Sequence, residues 1–153
     1  MPVTRIVTRS LQRYWRLSRG LTLGAQGAVI DEQGRFLLIR HTYRPGWHFP
    51  GGGVEKRETI ETALRRELGE EAGVIIEGPP ELFGIYANFK AFPGDHIALY
   101  IGRAWRQPVA PRPNAEIAAH QFCAADALPE DTHPPTRQRI AEILGAAPRA
   151  AAW

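Results

Sequence analysis

The sequence predicts an α/β fold, more closely an α+β mixed-sheet sandwich in which a mixed β-sheet lies between helices. Stretches with strand character and helical stretches alternate irregularly along the chain. Turn signals such as Asp31-Glu32-Gln33-Gly34 and Pro93-Gly94-Asp95 join strands as hairpins, whereas the helical stretch between them demands a crossover. That combination is the pattern of a mixed sheet with helices on its faces. The 153 residues hold 44% hydrophobic and 23% charged side chains, which excludes wholesale disorder and suits one domain with its own core.

From the N-terminus, Thr4 to Ser18 carry Ile6, Leu11, Tyr14, Trp15 and Leu17 among arginines, the pattern of an amphipathic helix or extension. We take 1–19 as a basic amphipathic N-terminal segment and 20–148 as the folded domain. Leu21 to Ile30 reads as a strand, and Arg35 to His41 returns after the Asp31–Gly34 turn to make a hairpin with it. Tyr43 to Gly53 holds Pro45, Pro50, Gly46, Gly51, Gly52 and Gly53, so it reads as loop. A helix follows from about Thr59 to Ala72, with Gly73 as its C-terminal cap. Glu81 to Phe89 and His96 to Trp105 are strands joined through Pro93-Gly94-Asp95. Arg106 to Asn114 is proline-rich loop, Ile117 to Cys123 a short strand, and Thr136 to Leu144 a closing helix.

Composition excludes several classes. The single cysteine, Cys123, rules out an intramolecular disulfide framework and a Cys-rich zinc module, and its apolar context says that it packs. Apolar runs such as Phe36 to Ile39 and Ile97 to Ile101 fall far short of the roughly 20 residues of a membrane span. Arg5, Arg9, Arg13, Arg16 and Arg19 have no uninterrupted apolar run behind them, unlike a secretory signal, so the expected compartment is the cytoplasm. The net charge of +3 concentrates its excess in the first twenty residues. A basic segment there is either a solvated helix or an attractor of polyanions such as nucleotides or nucleic acid.

The informative segment is Gly52 to Val74. At 3.6 residues per turn, Ile60, Ala63, Leu64 and Leu68 share one face, the stripe that packs on a sheet. Glu67 and Glu71 project into that stripe one turn apart, and Glu70 lies at its edge. Like charges at i,i+4 oppose a helix by a few tenths of a kcal/mol, and partly burying unpaired carboxylates costs several kcal/mol more. Gly69 inside the helix costs about 1 kcal/mol relative to alanine. Violations gathered so closely mark a functional site. A multivalent cation offsets the repulsion, and clustered carboxylates suit Mg²⁺ or Mn²⁺. The competing reading is a salt-bridged helix in which Arg65 and Arg66 neutralise the glutamates.

Gly52, Glu58, Arg66, Glu67, Leu68, Glu70, Glu71, Gly73 and Val74 reproduce the pattern G-x5-E-x7-R-E-U-x-E-E-x-G-U, with U a bulky aliphatic residue. This is the Nudix box, and the segment resembles a Nudix hydrolase of the MutT-like kind at every defining position. Trp47-His48-Phe49-Pro50-Gly51-Gly52 is similar to the family's lead-in. The resemblance extends more loosely from about Leu21 to Leu144. One departure is Arg57, where relatives commonly carry glycine.

The resemblance implies a Nudix fold, with a loop–helix–loop box beside a mixed β-sheet between helices. It implies Mg²⁺- or Mn²⁺-dependent hydrolysis of a nucleoside diphosphate linked to another moiety. Glu67, Glu70 and Glu71, with the backbone carbonyl of Gly51, would hold the metal. Arg66 and Glu58 would orient the helix through a salt bridge, and Gly52 and Gly73 would shape its ends. Glu67 and Glu116 are both candidates for the general base. Arg40, at a strand end, matches a phosphate-binding arginine of relatives. His48 and Phe49 flank the glycine turn and His96 starts a strand; none is assigned to the site. The expected substrate is a nucleoside triphosphate. ADP-ribose, a nucleotide sugar, a dinucleoside polyphosphate or RNA with a 5′-triphosphate stay open, as does a non-catalytic nucleotide-binding regulator. Homodimers are common among relatives, and Tyr14 with Trp15 would supply an interface.

Overall fold

Each face of the second strand feeds a different core, and that sets the architecture. We describe it from a computed structural model that covers Gln12, Tyr14 and residues 17–153. The elements run β1 (Thr22–Val29), β2 (Phe36–His41), β3 (Trp47–His48), β4 (Gly51–Gly53), α1 (Ile60–Ala72), β5 (Ile75–Ile76), β6 (Glu81–Ala87), β7 (Asp95–Gly102), β8 (Trp105–Arg106), β9 (Ile117–Cys123) and α2 (Pro134–Ile143). Along β2, Leu37 and Ile39 join a buried cluster with Ala63, Leu64 and Leu68 of α1. Phe36 and Leu38 join the opposite cluster with Phe49, Leu99 and Ile140 of α2. The helices therefore cover opposite faces, as a sandwich requires.

One sheet has the order β4-β1-β7-β6, another β3-β2-β9, and β5 pairs with β8 alone. The first sheet is mixed: β1 and β7 are parallel, β1–β4 and β6–β7 antiparallel. The expected hairpin of Leu21–Ile30 with Arg35–His41 needs correction. Its turn forms, with the Asp31 carboxylate accepting from the N–H groups of Gln33 and Arg35 at 3.0 and 2.8 Å. Beyond it only the single bridge Ile30–Phe36 follows, because both edges of β1 belong to β4 and β7, and β2 crosses to the other sheet. The segment read as loop from Tyr43 to Gly53 also holds β3 and β4, each defined by its partner strand. The strand begun near His96 stops at Gly102, and Trp105–Arg106 leaves to pair with β5.

Helix α1 forms where its local signals say. Thr59 caps its start, its hydroxyl accepting from the Thr62 N–H at 3.1 Å. Gly73 ends it at φ +63°, with the Val74 N–H returning to Leu68 O. The helix approaches β1 closely because Gly27 has no side chain: a Cβ there would lie 2.9 Å from Leu68 Cδ2. At the other face Arg139, fully buried on α2, pairs with Glu142 at 2.6 Å. The same pair binds Ala152 O and Ala150 N, strapping 149–153 beside β6. The expected N-terminal segment lies mostly outside the described residues; Gln12, Tyr14, Leu17 and Ser18 are helical and exposed. No helix among the described residues is long and apolar enough to cross a membrane.

Candidate active site

The glycine turn before α1 brings its backbone against two of the helix carboxylates. Gly51 sits at φ +146° opposite Gln26 of β1, where a Cβ would strike the carbonyl oxygen of Ala25. Its N–H donates to Glu71 Oε2 at 2.7 Å. A Cβ on Gly52 would lie 2.5 Å from Glu67 Cδ, so the Glu67 carboxylate rests on bare backbone. Gly51 is therefore required by its backbone neighbours, whereas Gly52 leaves room for the Glu67 carboxylate.

Arg66 fastens turn and helix together. Its guanidinium donates to both carboxylate oxygens of Glu58 (2.9 and 3.1 Å), to Gly53 O (3.1 Å), to Glu67 Oε1 (2.6 Å) and to Glu70 Oε2 (3.5 Å). Glu58 in turn accepts from the Glu55 N–H at 2.9 Å, and Arg66 holds its carboxyl below the usual range. Bonding to Glu58 and Glu67 keeps the guanidinium more firmly protonated still. Arg65 turns away, to Glu61 and the carbonyls of Ile76 and Gly78. The salt-bridged reading thus describes Glu58, Glu67 and Glu70, with the Glu70 side chain largely exposed.

Glu71 differs. It is 4% exposed, and burial pushes its carboxyl up to about 7 against the opposing Gly51 N–H, with the charges of Glu67 and Glu116 adding to the rise. Its Oε1 lies 3.9 Å from His41 Nε2. His41, Glu71 and Glu116 each place a ligand atom within 4.8 Å of the others. Glu116 arrives there because the Thr42 N–H donates to its carbonyl at 2.8 Å, clipping the loop before β9 to the end of β2. Burial, the Arg44 charge and His48 hold the His41 imidazole neutral at about 4, and Arg44 Nη2 donates to its Nε2 at 2.6 Å. A buried carboxylate gathered with a second carboxylate and an imidazole offers donor chemistry that suits a divalent cation; of the expected ligands only Glu71 belongs to this group, while Arg66 holds Glu67 and Glu70.

A cleft of about 460 Å³ opens beside this cluster, lined among others by Gln26, Arg44, Asn88, Lys90, His133 and Trp153. The rings of His41, His48 and His133 run from the carboxylates into it, with centroids 5.9 and 4.5 Å apart. Burial holds His48 down at about 4, so this neutral ring donates through Nε2 to Pro45 O at 2.9 Å. Another cavity of about 360 Å³, bordered by Arg35 and Phe122, lies at the start of β2, away from the carboxylates at its end. Arg40 is on the face of β2 opposite His41, half-exposed and 3.3 Å from Asp131. Sequence reasoning missed His41, Arg44 and His133. The period-2 alternation of β2 was the available signal: Leu37, Ile39 and His41 share the face that meets α1.

Comparison with known proteins agrees with this geometry. The family model of the NUDIX domain matches residues 20–143. A MutT-like protein of Streptomyces ambofaciens is 42% identical over 67 residues, 44% of this chain and 43% of that protein. An RNA pyrophosphohydrolase of Coxiella burnetii is 42% identical over 57 residues, 37% of this chain and 25% of that protein. The chain thus spans less than half the length of these curated relatives. Among solved structures, a MutT NUDIX hydrolase from Burkholderia pseudomallei superposes with TM-score 0.68 at 26% identity, covering 80% of this chain and 97% of that one. An ADP-ribose pyrophosphatase from Streptococcus suis shares the fold at TM-score 0.64 and 22% identity, covering 86% and 95%.

Proposed function

The chain belongs to the Nudix hydrolase family, and from that premise we propose that it hydrolyses a phosphoanhydride bond of a nucleoside triphosphate. The observation that carries the reading is Glu71: a carboxylate buried against a glycine turn, with Glu116 and His41 beside it and a cleft of about 460 Å³ reached through Arg44, which bonds His41. Glu71, Glu67 and Glu70, with the Gly51 carbonyl, would hold Mg²⁺ or Mn²⁺. When bound, such an ion polarises phosphate oxygens and lowers the pKa of water.

The chain's own residues do the rest. Arg66 fixes the Glu67 carboxylate and the glycine turn in one arrangement, so no reorganisation is needed as charge develops. Arg44 and Lys90 line the cleft and supply positive charge for phosphate oxygens. Glu116, exposed in the loop before β9, would accept the proton of an attacking water where it does not itself hold the ion, with Glu67 as the competing base. Arg40, on the outer face of β2, would engage phosphate only after leaving Asp131. We place the catalytic unit in 20–148 and the protein in the cytoplasm.

A panel of nucleoside triphosphates, ADP-ribose, nucleotide sugars, dinucleoside polyphosphates and 5′-triphosphorylated RNA, with Mg²⁺ or Mn²⁺ and product analysis, tests the proposal. Triphosphate turnover is expected, reduced about 10²–10⁴-fold by Glu71→Gln. Turnover of none of them, with nucleotide still bound, would make the protein a nucleotide-binding regulator instead. The RNA pyrophosphohydrolase relatives favour RNA 5′-triphosphate as a second reading. In that case deletion of 1–19 lowers RNA affinity and flattens its salt dependence.

A further inference from the structure

We propose that His41 is a metal ligand, completing with Glu71 and Glu116 a mixed nitrogen–oxygen site that favours Mn²⁺ over Mg²⁺. The proposal rests on the carboxylates being a cation site, as read above, and adds a donor outside the acidic helix. His41 is 4% exposed and stands on the strand face turned toward α1. The pairing of β2 with β9 shifts register between Arg40 and His41, an irregularity of the kind that re-aims a side chain. The lone pair of His41 Nε2 is committed: it accepts from Arg44, while the other ring nitrogen, Nδ1, is buried with no hydrogen-bond partner among the described residues.

The position of Arg44 argues that a cation belongs here. Its guanidinium already lies against the imidazole that faces the Glu71 carboxylate. Arg44 Nε is itself buried and has no hydrogen-bond partner among the described residues, so the guanidinium is only partly satisfied where it lies. Arg44 also lines the cleft, where a phosphate group would receive it. A divalent ion taking the His41 lone pair thus releases a guanidinium toward the substrate. Carboxylate and water ligands alone suit Mg²⁺, whereas an imidazole in the set shifts preference to first-row transition ions. Mn²⁺ accepts both donor types and is the paramagnetic probe.

Electron spin-echo envelope modulation of Mn²⁺ added to the metal-free protein tests this directly. Modulation from a directly bound imidazole nitrogen is expected in the wild type and absent in His41→Gln. Competition titration, read from the resonance of free Mn²⁺, should show the preference for Mn²⁺ over Mg²⁺ falling about tenfold in the variant. Bound Mn²⁺ without nitrogen modulation in the wild type overturns the proposal whether or not the variant folds. If that Mn²⁺ is still lost in Glu71→Gln, the carboxylate site and the hydrolase reading stand while the histidine ligand falls. Failure of the wild type to bind Mn²⁺ overturns the histidine ligand as well.

Discussion

Glu71 has a carboxyl that rises from an ordinary 4.5 to about 7 on burial. Its native state therefore holds a proton that the unfolded chain releases between these values. In metal-free protein this contribution to stability is complete below about pH 4.5 and is lost as pH rises through 7, a change of about 3 kcal/mol. His41 and His48, lowered from 6.5 to about 4, act with the opposite sign: stability falls as pH drops from 6.5 through 4. The two effects separate by difference. Urea unfolding of metal-free wild type and Glu71→Gln at pH 5 and pH 8 should show the variant gaining about 2.5 kcal/mol relative to wild type at the higher pH; an equal offset at both contradicts the assignment. The adjacent glycines part in the same way. Gly52→Ala meets only the end of a flexible glutamate, so it should fold with stability within about 1 kcal/mol of wild type yet lose 10–100-fold in kcat/KM, roughly the cost of disturbing a supporting shell. Gly51→Ala meets the Ala25 backbone at φ +146° and should lose about 3 kcal/mol or more in the same unfolding assay.

Helix α1 was legible because its information is local: the Thr59 cap, the Gly73 stop, the leucine stripe and the glutamates that break it. The strands β3 and β4 were not, since two or three residues in a Pro- and Gly-rich segment become strand only through β2 and β1. The paired Asp31–Gly34 turn was read correctly and its hairpin was not, because pairing is decided by which edges of β1 are already taken. His41 stayed hidden for the same reason: its worth depends on facing α1, while Arg40, the more conspicuous charge, faces Asp131. The helix–strand contact itself is testable at Gly27. Gly27→Ala drives a methyl into Leu64 and Leu68, an overpacking that should cost about 1–3 kcal/mol, seen as a lowered Tm.

Across the whole molecule, the buried Arg139–Glu142 pair joins α2, Tyr86 of β6 and the closing segment, and so fixes Trp153 as a wall of the cleft. Arg139→Ala should cost about 3–5 kcal/mol by leaving Glu142 buried and unpaired, whereas the double change Arg139→Met with Glu142→Leu recovers much of it. With the segment released, KM should rise more than kcat falls, as steady-state kinetics would report. The parallel pairing of β1 with β7 has a different consequence, one of timing. Thr22 meets Asp95 across 73 positions of chain. At a synthesis rate of about 5–20 residues per second, the first strand waits on the ribosome for roughly 4–15 s before that neighbour exists. Through that interval the edge of β1 that will meet β7 stays unpaired, so the centre of the sheet closes late in synthesis.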